Sequence, residues 1–328
     1  IQWISRQFDE EVDITTKAAC AMRIMDPSDK EFSGSLWHSS WDNKAGRFHI
    51  PEYGKLYVAI SSSSNFKSED CVNHVLGRAG TIRMEDLFDV FSNHKKWWAD
   101  YWNQSLVFLN DSLLELDYYR SLYVMASASR DKEFPPGIFG TWVTRERPEW
   151  NGDYHLNYNH QSPYYALFSS NRIQQALPYN YPILAMIEKG REYGRNIYGI
   201  DGIHMPVGIG PKSMDVTKAG KVTEAYRQFY IDHGFIEDGG LFFYQKSNAL
   251  HCIPNMSMLF YKTYNKEYIE LVYPYIRGVV DFWEEYLRLE DGRYVIHNDA
   301  VHEGPNGDFN PILTLGFLRL ALNTIIDM

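Results

Sequence analysis

The pattern that most limits how this chain can fold lies over residues 267–289. Ile269, Val272, Ile276, Val279, Phe282, Trp283, Tyr286 and Leu287 recur at helical spacing and form a wide apolar face. So long a pattern, stopped by Asp291-Gly292, predicts a helix that must bury this face against other elements. Similar spacing predicts helices over residues 84–102 (Leu87, Val90, Phe91, Trp97, Trp98, Tyr101) and from Pro311 onward (Leu315, Leu318, Leu322, Ile325). Another opens at Asn110, Asp111 or Ser112, all good N-caps, carries Leu113, Leu116, Tyr119 and Tyr123, and is over by Pro135-Pro136. Residues 1 to about 80 read as β-rich instead. There residues 55–60 are a β-branched and aromatic run bounded by Gly54 and a serine run, and Trp37, Trp41, Phe48 and Ile50 sit among turn formers. A β-rich start feeding long helices suits a barrel of paired helices, and an α-solenoid equally well.

Composition narrows the function classes. The 328 residues are 45% hydrophobic and 23% charged, ordinary globular values, so wholesale disorder is not expected. A net charge of −10, with no basic run longer than His94-Lys95-Lys96, argues against nucleic acid as a partner. No apolar run is long enough to span a membrane. Cys20, Cys71 and Cys252 lack metal-ligand spacing and read as free buried thiols. The chain starts at Ile1 and stops within a helical apolar pattern, so it reads as a fragment of a larger polypeptide.

Aromatic content of 16% is high, and part of it is clustered with polar groups. Residues 135–142 (Pro-Pro-Gly-Ile-Phe-Gly-Thr-Trp) and 150–161 (Trp-Asn-Gly-Asp-Tyr-His-Leu-Asn-Tyr-Asn-His-Gln) mix ring platforms, amides and a carboxylate. Sugars need such a mixture: C–H faces lie on aromatic rings, and Asp, His and Gln reach hydroxyls. Trp142, Trp150, Asp153, His155, His160 and Gln161 are therefore candidate substrate-binding residues, as is His302. His155 and His160 lack a third ligand at a recognisable spacing, so no metal or cofactor is expected. Gln245, Asn248 and His251 are unranked candidates for the cleft wall, and the Gly-rich residues 199–210 read as a loop over its mouth. Glycoside hydrolysis also needs a proton donor and a group that activates water. Glu303, in a Gly/Pro loop, is the best donor, with Asp299 its nearest rival. Asn157 and Asn159 flank Tyr158, so in an extended chain their amides would point to one side.

These segments resemble glycoside hydrolase family 95, the inverting α-L-fucosidases and α-L-galactosidases. The family carries Pro-Pro-Asn-Leu-Gln-Gly-x-Trp, matched at Pro135, Pro136, Gly140 and Trp142. Its Trp-Asn-x-Asp-Tyr-x-Leu-Asn-x-Asn-x-Gln is matched without a gap at Trp150, Asn151, Asp153, Tyr154, Leu156, Asn157, Asn159 and Gln161. Fainter likeness continues over residues 273–282 and 291–294, and residues 55–65 resemble the last strand of the family's N-terminal β-sandwich. The resemblance implies a mainly α fold: the end of a β-sandwich over residues 1–82, a helical linker and first helix over 83–130, and an incomplete (α/α)6 toroid over 131–328. It implies that Glu303 is the general acid and that Asn157 and Asn159 position the attacking water, the catalytic set Glu303, Asn157 and Asn159. The carboxylate that polarises the asparagines would lie beyond Met328. The implied reaction is inverting exo-hydrolysis of terminal α-linked L-fucose or a related sugar, without a cofactor, on an oligo- or polysaccharide, in a secreted or periplasmic setting. The pattern departs at residues 137–139, Gly-Ile-Phe in place of Asn-Leu-Gln, and around the acid, where Ser-Pro-Glu-Asn reads Val301-His302-Glu303-Gly304. A polysaccharide lyase, kept open by Arg145 and Arg147, a sugar phosphorylase, or a glycan-binding protein without turnover are the other readings.

Overall fold

The computed structural model describes residues 1–8, 15–25, 34–38, 44–48, 56–143, 145, 148–217, 245–302 and 307–328. Glu303, the expected proton donor, lies outside the described residues, as does Arg147. The chain divides into two compact units, Ile1–Trp102 and Asn103–Met328.

The first unit contains a three-stranded antiparallel sheet in the order β1 (Gln2–Phe8), β2 (Thr16–Met25), β5 (Tyr57–Ser64), with Cys20 facing Ser62 and Ile4 in register. A separate hairpin pairs β3 (Gly34–His38) with β4 (Lys44–Phe48). The serine run expected to bound a strand is instead part of β5. Ser61 to Ser64 pair with the Ala-rich strand β2, whose partner in the ladder needs little side-chain volume. A helix that the sequence reading missed, α1 (Cys71–Thr81), closes this sheet. Its Cys71, Val75 and Ala79 pack on Ala19 and Ala21. Asp70 caps its N-terminus by accepting from Asn73 N, and Arg23 donates to the carbonyls of Gly80 and Ile82 at the other end. A short 3-10 turn then leads into α2 (Leu87–Trp102).

Among its described residues the second unit is helical, with only two-residue and three-residue strand pairs. It begins with α3 (Ser112–Ala128), for which Asp111 is the N-cap, its carboxylate accepting from the amides of Leu113 and Leu114. Short helices α4 (Tyr165–Ser169), α5 (Ile173–Ala176), α6 (Asn180–Leu184) and α7 (Ile187–Tyr193) follow. The core is made by α8 (Asn248–His251), α9 (Ile253–Thr263), α10 (Lys266–Tyr286) and α11 (Ile312–Asp327). On α10 the expected stripe is buried at Val272, Ile276, Val279, Phe282 and Trp283, and the helix packs against α9 and α11, where Met256, Phe260, Leu318 and Ala321 are likewise buried. A buried hydroxyl pair, Ser257 and Thr324 at 2.8 Å, joins α9 to α11.

The long helix ends earlier than its pattern predicted. Leu287 is extended (φ −63°, ψ 143°), and residues 288–290 form β8 (Arg288–Glu290), paired with β9 (Arg293–Val295). Asp291-Gly292 therefore turns a hairpin and does not stop a helix; both residues have the positive φ such a turn demands. No helix among the described residues is long and apolar enough to cross a membrane. The three cysteines are free, with Cys71 and Cys252 buried and Cys20 only partly so.

Candidate active site

The segment that singled itself out by composition is held by unusual backbone. Trp150, Asn151 and Gly152 all have left-handed φ, 50°, 55° and 65°, which only glycine adopts without strain. Asn151 fixes the bend by donating to the Val216 carbonyl at 2.9 Å, and Ile138 N donates to Asp153 O at 2.8 Å. Phe139, Trp142 and Trp150 are consequently left on the surface with 39%, 54% and 52% of their areas exposed. The rings of Phe139 and Trp150 lie 6.3 Å apart.

Past this bend the chain goes inward. Tyr154 and His155 (β6) pair with Gly208 and Ile209 (β7), and Leu156 N donates to Val207 O at 2.7 Å. Residues 202–210 are buried, so the Gly-rich stretch expected over a cleft mouth instead lies beneath the candidate site. Its composition is explained by proximity: a Cβ on Gly208 would stand 2.2 Å from Asp153 Oδ2. That carboxylate accepts from His155 Nδ1 at 2.9 Å, with both side chains buried. The contact puts a proton on Nδ1 and fixes the ring. Desolvation raises the Asp153 pKa above the usual carboxylate range, partly opposed by His155.

Residues 156–161 form turns and are not extended: His160 N donates to His155 O, and Ser162 N and Gln161 N to Tyr158 O. The extended geometry in which Asn157 and Asn159 would share one side is therefore not adopted here. Asn157 is fully buried and Asn159 is exposed. His160 and Gln161, expected at hydroxyls, lie within the packing. His160 stacks on Tyr179 at 4.8 Å and 17°, beside Tyr154 and Tyr164, with Nε2 donating to Tyr179 O. Burial lowers its pKa to about 4. Gln161 is 1% exposed; its side-chain amide nitrogen donates to Leu156 O, and its main-chain carbonyl accepts from Asn255 Nδ2.

Two distant stretches meet the Asn157 turn. From one, Gln245 Oε1 accepts from Asn157 Nδ2 at 3.5 Å. From the other, His302 Nε2 donates to the main-chain carbonyl of Asn157 at 3.2 Å. His302, expected at substrate hydroxyls, thus spends this nitrogen on the turn. Its ring lies edge-on to His251, which also meets Phe317, and burial lowers the His251 pKa to about 3.

The two stretches are also locked together at Lys246, next to Gln245, and at Asp299, three residues before His302. Asp299, 0% exposed, accepts from Lys246 N at 2.9 Å and Thr314 Oγ1 at 2.7 Å. Lys246 Nζ donates to the Asn298 carbonyl and lies over the rings of Tyr198 and Tyr286. Burial lowers the lysine pKa to about 8, opposed by the Asp299 charge; burial likewise raises that of Asp299, opposed by its hydrogen bonds and by Lys246. Sealed and doubly engaged, Asp299 is a brace for the loop that leads to Glu303, which separates it from its rival for proton donation. Lys246 and Thr314 were missed in the sequence because neither stands in a motif; only burial beside one carboxylate couples them. Among the described residues no group of three His, Cys, Asp or Glu is placed to hold a metal ion.

An exposed aromatic shelf, a buried carboxylate–histidine pair and an amide turn joined to a distant loop form a site suited to carbohydrate chemistry. The sequence model of the glycosyl hydrolase family 95 catalytic domain matches residues 102–305, and the chain belongs to that family. It is similar to a protein of Aspergillus niger named Probable alpha-fucosidase A, with 27% identity over 202 residues. That match covers 58% of this chain and 23% of the Aspergillus protein, so the chain spans about a quarter of its relative's length.

Proposed function

We propose that this chain carries part of the catalytic domain of an inverting exo-glycoside hydrolase that removes terminal α-linked L-fucose, or a related sugar, from oligo- or polysaccharides. In this reading Glu303 protonates the glycosidic oxygen while the Asn157 and Asn159 amides position water on the opposite face of the ring. A neutral amide cannot itself accept the proton, so a carboxylate downstream of Met328 would supply the basicity. The helices of residues 131–328 would be the first part of an (α/α)6 toroid, residues 1–82 the end of a β-sandwich, and residues 83–130 the link between them. Action on glycans outside the cell fits a secreted or periplasmic enzyme.

The observation that carries the reading is the His302–Asn157 hydrogen bond. It joins the residue preceding Glu303 to the asparagine turn across 145 positions of sequence. Inversion requires an acid and a water-activating group on opposite sides of one bond, and this contact brings the two sequence regions to one place. Asp153 and His155 would face hydroxyls from the floor, and Trp142 and Trp150 would offer ring faces. The test is hydrolysis of α-L-fucosides by the full-length protein, followed by proton NMR. Early appearance of the β-anomer, and a loss of at least about 10²-fold in kcat in Glu303→Gln, are expected. Full activity in Glu303→Gln, or the α-anomer as first product, would overturn the assignment.

A further inference from the structure

We propose that His302 is a positioning residue for the asparagine turn: its hydrogen bond to the Asn157 main-chain carbonyl holds the Asn157 amide where the attacking water must be oriented. The inference rests on the proposed hydrolase reading for what Asn157 does, and on the geometry alone for what His302 does.

Four observations carry it. First, the polarity of the contact is fixed. A carbonyl oxygen only accepts, so Nε2 carries the proton and is committed to the turn at 3.2 Å. Second, the half-buried ring stands on the helical core. It lies edge-on to His251 of α8 with centroids 6.4 Å apart, and the His251 ring in turn meets Phe317 of α11 at 4.8 Å. Third, the backbone leading to it is anchored. Val301 N donates to Asp308 Oδ2 at 2.8 Å, and Asp299 and Asp308 exchange main-chain hydrogen bonds at 3.0 and 3.3 Å. Lys246 N and Thr314 Oγ1 hold the Asp299 carboxylate as well, so the bond at the end of this stretch passes a fixed position to the turn. The turn's own main-chain bonds are donated by Leu156 N on one side and by His160, Gln161 and Ser162 N on the other, and His302 grips the residue between them. Fourth, the residue itself departs from the family pattern, which has proline in Ser-Pro-Glu-Asn where this chain has Val301-His302-Glu303-Gly304. Proline stiffens its own backbone through a fixed φ. Histidine has no such constraint, but its side chain reaches a carbonyl 145 positions away. A local stiffening is thereby replaced by a cross-link between two segments that must act together.

Two measurements on the full-length protein test this. His302→Phe keeps a ring against His251 and removes the donor, His302→Gln keeps an N–H at similar reach, and His302→Ala, which adds no bulk, repeats the first. In the first measurement, backbone amide exchange is followed in each variant. His302→Phe should exchange at least about tenfold faster at residues 156–162, with α10 unchanged, and His302→Gln should restore the protection. In the second, hydrolysis of dinitrophenyl α-L-fucoside, whose leaving group departs without a proton, is compared with that of methyl α-L-fucoside, whose leaving group needs one. His302→Phe should lower kcat about 10- to 100-fold on both substrates with KM changed less than about threefold, because misplacing a reacting group by about 1 Å costs up to about 10²-fold. His302→Gln should recover most of that loss. A loss confined to the methyl fucoside would overturn the assignment, because it would place the effect of His302 on proton donation. A loss carried by KM, or wild-type exchange at residues 156–162 in both His302→Phe and His302→Ala, would overturn it too. If the wild-type protein hydrolyses no fucoside, the hydrolase reading falls, and amide exchange alone still decides whether His302 holds the turn.

Discussion

Replacing Asp299 by alanine should reveal how much of the site depends on one buried brace. The carboxylate is fully sealed and accepts from Lys246 N at 2.9 Å and Thr314 Oγ1 at 2.7 Å. Its removal leaves two buried donors without this acceptor, each costing about 1–3 kcal/mol. It also removes the negative charge that opposes desolvation of Lys246. Breaking a buried pair from one side typically costs about 3–5 kcal/mol, and that is the loss expected here. Asp299→Asn, which keeps one acceptor oxygen, should lose roughly half as much. Urea unfolding at pH 7, followed by circular dichroism and tryptophan fluorescence, measures both. The pH dependence gives a second reading. The folded-state pKa of Lys246 is about 8 against an ordinary 10.5, so the folded protein binds fewer protons than the unfolded chain between those values. The resulting penalty, about 3 kcal/mol, is present in full below pH 8 and is relieved as pH rises toward 10.5. Removal of Asp299 should move the lower edge of that window further down. A loss below about 1 kcal/mol for Asp299→Ala would refute the argument, because it would mean that water or another acceptor already serves these donors.

Acid should destabilise the protein through buried neutral histidines. His160, with a pKa of about 4, and His204 and His251, at about 3, bind protons in the unfolded chain before they do so in the folded one. Stability should therefore fall as pH drops from 6.5 toward 4, and His160→Gln should reduce the slope by up to about 1.4 kcal/mol per pH unit. An unchanged slope would show that His160 is protonated without unfolding. Gly208→Ala places a methyl group 2.2 Å from Asp153 Oδ2 and 3.2 Å from Thr217 Cγ2. Displacing Asp153 should cost about 1–3 kcal/mol in urea unfolding and, on the proposed function, lower fucoside turnover. Wild-type stability and rate would mean that Asp153 can withdraw without disturbing His155.

The helices were legible because their burial is periodic. The stripe over Val272, Ile276, Val279 and Trp283 predicted α10, and the run Asn110-Asp111-Ser112 announced the start of α3, of which Asp111 proved the cap. Boundaries were less legible. Asp291-Gly292 serves equally as a helix stop or a hairpin turn, and the choice was made by the pairing of Arg288–Glu290 with Arg293–Val295. The serine run was misread because β5 lies against alanines, where small hydroxylated residues fit a strand. α1 escaped notice because its apolar face is short and is read correctly only with the sheet of Ala19 and Ala21 beneath it.

In the candidate site, the sequence by itself determined which segments matter: the aromatic and amide motifs of residues 135–161 and the loop around Glu303, and through them the family. It did so because those residue types and spacings carry information that survives without coordinates. Only the tertiary structure decided which groups face outward and which are supports. His160 and Gln161 belong to the packing, His302 is spent on the Asn157 carbonyl, and Asp299 is a sealed brace for the loop that leads to Glu303. Those roles depend on burial and on partners up to 145 positions away, and a polar side chain has the same sequence signature whether it meets a sugar or a main-chain carbonyl.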